Sequence, residues 1–139
     1  MAVSFQNQSI TFNLSEKLKI KSWIKQIVES EKKQLGQINF VFTSDEELLK
    51  TNIEFLAHDT FTDIITFDYC EGKIINGDII ISVERVKANS EKFKTGFNEE
   101  LKRVIIHGVL HLCGYKDKSK NDAELMRKKE NAALKKFQV

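Results

Sequence analysis

Two of the three histidines in the sequence stand four residues apart, and a carboxylate follows them after a glycine. Side chains four residues apart on an α-helix project in nearly the same direction, so the imidazoles of His107 and His111 can reach one ion. Gly114 suits the left-handed residue that ends a helix, after which the chain can double back and bring Asp117 beneath both rings. We therefore predict that the two histidines and Asp117 bind a metal ion, with coordination positions left open as in catalytic zinc sites.

The residues around the histidines separate this pattern from that of a protease. The ligand spacing is that of metzincin proteases, but Gly108 stands where their general-base glutamate belongs. Cys113 lies about 200° around the helix from His111, which makes it a poor ligand, so we interpret it as a buried thiol. The metal site is therefore favoured and peptidase chemistry is disfavoured.

Length and cysteine content set further bounds. A chain of 139 residues can bury a core without a structural metal, so a bound metal should serve function more than folding. Cys70 and Cys113 are too few for a secreted disulfide framework, and no apolar N-terminal run resembles a signal peptide or a membrane span. We expect one domain over residues 1–139, in the cytoplasm, with no membrane partner and no organic cofactor.

Positive charge is concentrated after the proposed site. The net charge of the chain is only +2, which neither requires nor excludes a nucleic-acid partner. Between Lys116 and Lys136, however, eight basic residues stand against four acidic ones. Two interpretations stay open: a solvated helix face, or a rim that attracts phosphate groups.

Hydrophobic periodicity predicts the elements of the first part of the chain. Residues 3–12 alternate around a polar interruption and indicate a short hairpin or one interrupted strand. Ser15 is a plausible N-cap for an amphipathic helix over residues 16–32, in which Trp23 is a core anchor. A strand is predicted over residues 38–42.

The middle of the chain predicts a helix followed by a strand pair. Ser44 and Glu47 form a capping box that opens a helix with the apolar residues Leu48, Leu49, Ile53 and Phe55. Strands over residues 63–68 and 78–82 are joined through glycine-containing turns, which favours antiparallel pairing. The nearly continuous isoleucines of the second strand indicate a central position, buried on both faces.

Three helices are predicted after this strand. The first covers residues 83–94 and includes Phe93 among its apolar residues. Asn98 can cap the second, which is apolar nearly all round from residue 104 and should lie in the core. The third covers residues 121–137 and is capped by its first residue.

At this point the sequence resembles the YbeY-type endoribonucleases, also called rRNA maturation factors. Their signature, His-Gly-x-Leu-His-Leu-x-Gly-Tyr-Asp-His, stands here as residues 107–117 with two changes, Lys116 for aspartate and Asp117 for the third histidine. A second block agrees over residues 52–67 and continues into residues 77–82. The resemblance therefore covers nearly the whole chain.

The resemblance implies an α/β (α+β) fold with a small mixed sheet of about four strands and helices packed on it, including a metzincin-like metal-binding helix. It implies a single-strand-specific, zinc-dependent endoribonuclease in rRNA processing, notably 16S rRNA 3′ end maturation and ribosome quality control. The implied partners are ribosomal RNA and the small ribosomal subunit. By position, the implied metal ligands are His107, His111 and Asp117.

The departures from the family pattern affect the metal and a catalytic cation. With Asp117 the ligand set becomes two histidines and one carboxylate, which iron, manganese or nickel could also occupy. The family commonly has an arginine where this chain has Leu56. Two alternatives stay open for the positive charge of that arginine: it is missing from this chain, or Arg85 or Arg103 supplies it.

No general base is decided by the sequence. Glu100 lies on the histidine stripe two turns before the first ligand, and Asp63 lies in the second matching block, although each also fits a capping or strand-end role. His58 is interpreted as a loop residue and not as a fourth ligand. Two other functions stay open: a non-catalytic assembly factor stapled by metal, and, less favoured, a metallopeptidase.

Overall fold

The computed structural model describes residues 2–56 and 62–137. Four strands and five helices are found in these ranges. In chain order they are β1 (Val3–Asn7), α1 (Lys17–Ser30), β2 (Gln34–Thr43), α2 (Asp45–Leu56), β3 (Ile64–Asp68), β4 (Ile74–Ser82), α3 (Val83–Lys92), α4 (Phe97–Leu112) and α5 (Lys120–Phe137).

The four strands form one mixed sheet in the order β1-β2-β4-β3. The β1–β2 and β2–β4 pairs are parallel, and β3 lies antiparallel to β4 at the edge. The predicted fold class, the antiparallel pair and the central position of β4 are thereby confirmed. Burial on both faces of β4 was an overestimate, because Ile79 and Ile81 are buried whereas Ile80 between them is only half-buried.

The core lies between the sheet and the helices α1 and α4. Its largest fully buried side chains come from β2, β4, α1 and α4, with Leu48 added from α2. Trp23 on α1 is buried, and its indole Nε1 donates a hydrogen bond of 2.8 Å to the carbonyl oxygen of Ala133 on α5. The prediction that Trp23 anchors the core is confirmed.

The opening of the chain differs from the prediction. Residues 9–12 are not in a strand, so no hairpin forms, and β1 instead pairs with β2 through the α1 crossover. Ser15 does not cap α1, because the residue before the helix is Glu16, which has a left-handed φ of 60° and makes no side-chain cap hydrogen bond. Parallel pairing is a long-range contact, which the local alternation could not reveal.

Of the four predicted helix caps, one is confirmed. The Ser44 hydroxyl oxygen accepts from the backbone N–H of Glu47 at 3.2 Å. Asn98 does not cap α4, which already begins one residue earlier, at Phe97. At α5 the cap is Ser119, whose hydroxyl oxygen accepts from the backbone N–H of Asp122 at 3.0 Å, and not Asn121.

Several apolar residues assigned to helix cores are exposed instead. On α2 only Leu48 and Asn52 are buried, whereas Ile53 and Phe55 are exposed. Phe93 follows α3 and is also exposed. None of the helices in the described ranges is long and apolar enough to cross a membrane.

The histidine-bearing helix α4 lies in the core as predicted. From Val104 to Leu112 its side chains are buried except for those of the two histidines, which are half-buried. Its end is a Schellman turn: Gly114 has a φ of +113°, and the backbone N–H of Tyr115 donates to the carbonyl oxygen of Leu110 at 3.1 Å. A glycine suits this position because a φ of +113° lies beyond the left-handed region near +60° that residues with a side chain occasionally adopt.

Candidate metal centre

One cleft brings together the chemistry-bearing residues of α4. Glu100, Arg103, His107 and His111 recur every three or four residues along this helix, and all four line the same cleft. Asp117, in the segment between α4 and α5, lines it as well. The structure therefore gathers the three predicted ligands at one surface.

Two of these ligands are close enough to share an ion. Nε2 of His107 lies 3.2 Å from Oδ2 of Asp117. Donors that each lie about 2.0–2.2 Å from one tetrahedral ion are separated by roughly 3.3 Å, so this spacing fits a shared zinc. The Schellman turn at Gly114 makes the approach possible because it reverses the chain directly after α4.

The third predicted ligand, His111, does not form a three-ligand cluster with His107 and Asp117 among the described residues. His111 lines the cleft, yet in residues 2–56 and 62–137 no group of three or more His, Cys, Asp or Glu side chains is arranged to hold a metal ion. The donor chemistry and the His107–Asp117 spacing fit a metal, whereas the complete set of three ligands stays a prediction. His58 lies outside the described residues.

Glu130 on α5 contacts the other nitrogen of His107. Its Oε2 lies 2.7 Å from Nδ1 of the imidazole, and its Oε1 accepts from Nη1 of Arg103 at 3.0 Å. A carboxylate on Nδ1 fixes the proton there and leaves Nε2 as a lone-pair donor, the usual arrangement behind a metal-binding histidine. Glu130 is thus a residue of the site that sequence reasoning missed.

A signal for Glu130 existed in the sequence. The buried residues of α5 are spaced four, three and four residues apart, and the second of them is this glutamate. A carboxylate on the apolar stripe of an amphipathic helix requires a buried partner. Pattern reasoning alone could not identify that partner as His107, which lies on another helix.

The pair shifts both pKa values toward the charged forms. Burial lowers the pKa of His107, but the hydrogen bond and charge of Glu130, with the charges of Asp117 and Asp63, outweigh burial and raise it. Burial raises the pKa of Glu130, but its hydrogen bonds to His107 and Arg103 outweigh burial and lower it. Without metal, the pair is therefore an ion pair at mildly acidic pH.

Both candidate general bases line the cleft. Burial raises the pKa of Asp63, although the charge of His107 partly offsets this effect. Burial also raises the pKa of Glu100, with Arg103 opposing it and the charge of Asp63 adding to it. A carboxylate with a raised pKa is better matched to proton transfer near neutral pH than an ordinary one.

The two candidate cations lie in different places. Arg103 lines the cleft, where it binds Glu130 and also donates to Oδ1 of Asn131 at 2.9 Å. Arg85 is not among the cleft-lining residues; its Nη2 lies 2.6 Å from Oδ2 of Asp45, which ties α3 to α2. Leu56 lines the cleft where the family pattern has an arginine.

Neither Gly108 nor Cys113 belongs to the proposed metal site. A Cβ at Gly108 would lie 3.0 Å from methyl groups of Ile64 and Ile79, so this side of α4 packs on the sheet. A glutamate would not fit there, which explains the absence of the protease general base. Cys113 is half-buried, so the prediction of a buried thiol is correct only in part, and burial raises its pKa to about 12.

Comparison with known proteins identifies the family of this chain. The sequence model of the family described as Endoribonuclease YbeY matches residues 3–138. The chain belongs to the Endoribonuclease YbeY family. The resemblance found in residues 107–117 is thereby confirmed, and with it the prediction of a nuclease.

Relatives within the YbeY family match over almost their whole length. Endoribonuclease YbeY of Flavobacterium psychrophilum is 52% identical over 137 residues, covering 99% of this chain and 97% of the relative. That of Bacteroides fragilis is 48% identical over 134 residues, covering 96% of each chain. A solution structure of a Thermotoga maritima protein has a TM-score of 0.67 at 26% identity, covering 97% of this chain and 88% of that one.

Proposed function

We propose that this chain is a single-strand-specific, metal-dependent endoribonuclease that acts in rRNA processing. The observation that carries the proposal is the His107–Asp117 pair, 3.2 Å apart in a cleft of a chain from the Endoribonuclease YbeY family. Relatives of about half identity and almost equal length bear the name Endoribonuclease YbeY. The proposal treats residues 1–139 as one catalytic domain.

The proposed ligands are His107, His111 and Asp117, and the proposed metal is zinc. Two imidazoles and one carboxylate also suit iron, manganese or nickel, so the metal is defined by loading experiments. When bound, a divalent ion supplies Lewis-acid polarisation of a phosphodiester oxygen. His111 is proposed as the third ligand because it lines the cleft of the other two.

The residues around the ligands have separate roles in the proposal. Glu130 holds the His107 ring so that Nε2 faces Asp117. Arg103 places a cation in the cleft, where it offsets phosphate charge. Asp63 and Glu100 are the proton-accepting candidates, since both line the cleft and burial raises both pKa values.

The proposed substrate is ribosomal RNA, with the 3′ end of 16S rRNA as the specific site and the small subunit as partner. The excess of basic residues between Lys116 and Lys136 supports an RNA substrate, because it places positive charge beside the cleft. We place the activity, including ribosome quality control, in the cytoplasm, consistent with the free thiols of Cys70 and Cys113.

A cleavage assay tests the proposed activity. Protein loaded with one equivalent of zinc, manganese, iron or nickel is offered single-stranded and duplex fragments of small-subunit rRNA. We expect metal-dependent cleavage of the single strands that the His111→Ala variant lacks. Cleavage that persists in His111→Ala indicates a contaminating nuclease, and RNA binding without cleavage supports a metal-stapled assembly factor instead.

The ligand set is tested separately through metal content. Replacement of Asp117 by alanine should lower bound metal while leaving the fold intact, because this exposed carboxylate contributes nothing to the core. Elemental analysis and circular dichroism of the purified variant measure both quantities. Unchanged metal content would remove Asp117 from the ligands.

A further inference from the structure

A large aromatic side chain is exposed at the cleft without a packing role. Phe93 is 58% exposed, although it directly follows a helix in which Val86 is fully buried. It lines the same cleft as His107. Among the cleft-lining residues in the described ranges, it is the one phenylalanine, tyrosine or tryptophan.

The backbone holds Phe93 in place at the end of α3. Phe93 is the C-cap residue, and Lys94 after it has a left-handed φ of 57°. The backbone N–H of Thr95 donates to the carbonyl oxygen of Ser90 at 2.9 Å, and that of Lys94 to Glu91 at 3.3 Å. This Schellman turn fixes the Cα–Cβ direction of Phe93, and more than half of the side chain is exposed.

Lysines precede and follow Phe93 in the sequence. Lys92 and Lys94 are exposed, and Nζ of Lys92 lies 5.8 Å from the centroid of the Phe93 ring. An aromatic face beside lysines is how sequence-tolerant proteins bind single-stranded nucleic acid, with a base stacked on the ring and phosphates near the amines. A paired base in a duplex has both faces covered and cannot occupy such a surface.

We propose that Phe93 is a base-stacking subsite for single-stranded RNA, with Lys92 and Lys94 contacting the adjacent phosphates. This inference rests on the proposed function and assigns its strand specificity to one side chain. A nucleobase stacked on Phe93 anchors the strand in the cleft that contains His107 and Asp117. The subsite requires a planar ring, not merely an apolar side chain.

Binding of fluorescein-labelled octauridylate, followed by anisotropy on the metal-loaded protein, tests the subsite. Stacking of one base corresponds to a loss of about 5- to 150-fold in affinity for Phe93→Ala, whereas Phe93→Trp should retain or increase affinity. Phe93→Leu should resemble the alanine variant. Phe55→Ala is the matched control, since Phe55 is 62% exposed, packs edge-on against Phe67, and is not among the cleft-lining residues.

A set of octamers with a single abasic position distinguishes stacking from a structural effect. At one position, removal of the base should abolish the difference between wild type and Phe93→Ala. Equal affinity of wild type and Phe93→Ala, or a loss independent of the base at every position, overturns the subsite. If the subsite is overturned but the wild-type protein still binds and cleaves RNA, the proposed function stands. If the wild-type protein neither binds nor cleaves RNA, both the function and the subsite are wrong.

Discussion

At the scale of single residues, the decisive feature is the contact between Glu130 and His107. The carboxylate is only 6% exposed and bridges the Nδ1 atom of His107 and the guanidinium of Arg103. A histidine held in this way presents Nε2 in a fixed direction, toward Asp117 at 3.2 Å. Metal affinity should therefore depend on a residue that does not touch the metal.

Replacement of Glu130 by glutamine should weaken zinc binding by about 10-fold, because the amide keeps the shape but loses the charge that makes His107 more basic. Competition titration with a zinc chelator measures this affinity. Glu124→Gln makes the same charge change at an exposed position of α5 and should leave affinity unaltered. Equal affinities for the two variants would show that Glu130 does not position His107.

The same pair predicts how the metal-free protein responds to pH. The raised pKa of His107 adds stability that is complete below 6.5, its ordinary value, and is lost as pH rises through the raised value. The lowered pKa of Glu130 adds stability above 4.5 that is lost as pH falls. Urea unfolding in chelator should therefore show a loss of stability as the pH rises above 6.5, and this loss should be smaller in Glu130→Gln. A loss of equal size in both proteins would contradict the coupling.

At the scale of elements, the position of the C-terminal end of α4 depends on its close approach to β4. A Cβ on Gly77 would lie 2.6 Å from the carbonyl oxygen of Phe67 and 2.9 Å from Leu112, the last residue of α4. Gly108, farther back on the helix, has similarly little room beside Ile79. Gly77 on the strand and Gly108 on the helix let α4 lie close to the sheet, which places the histidines at the cleft.

Gly77→Ala should lower the free energy of unfolding by about 1–3 kcal/mol, since the added methyl group meets backbone that cannot give way easily. Urea unfolding provides the measurement. Gly96→Ala is the comparison variant, because a Cβ there meets nothing within 4 Å. Since Gly96 is the N-cap of α4, where alanine is less favourable than glycine, its effect should be below about 1 kcal/mol. Equal stability of the two variants would mean that α4 can move away from the sheet to accept the added methyl group with no loss of folding free energy.

At the scale of the whole molecule, α5 links the core to the site. Trp23 of α1 donates to the Ala133 carbonyl and packs against Phe137 at a centroid distance of 5.0 Å. One turn before Ala133, Glu130 contacts His107. Metal binding at α4 should therefore oppose unfolding of the whole described fold.

Zinc at 100 times its dissociation constant should stabilise the protein by about 2.7 kcal/mol, since the ion binds the folded form. Thermal unfolding with zinc and with chelator measures the difference. In chelator at alkaline pH, where His107 is neutral and the charge of Asp117 no longer stabilises it, Asp117→Ala should unfold at the wild-type temperature. The variant should still gain little from zinc, because it retains the core and lacks a ligand. If zinc stabilised Asp117→Ala as much as the wild type, Asp117 would not be a ligand, and this conclusion would not depend on the measurement of metal content.

The sequence alone was sufficient wherever the decisive geometry is local. The helical spacing of His107 and His111, the glycine turn at Gly114 and the cap at Ser44 follow from contacts within a few residues, and the structure has all three features. The antiparallel pair and the central position of β4 were likewise indicated by short turns and isoleucine runs. The family signature added the expected metal-dependent nuclease activity.

Only the tertiary structure decided the features that join distant segments. The parallel partner of β1, the burial of Glu130 against His107 and the exposure of Phe93 at the cleft each depend on packing between elements far apart in the chain. A periodicity identifies an apolar face, but it does not identify what covers that face or whether anything does. For this reason the sequence predicted the ligands, whereas the structure provided the residue that orients one of them and the ring beside them.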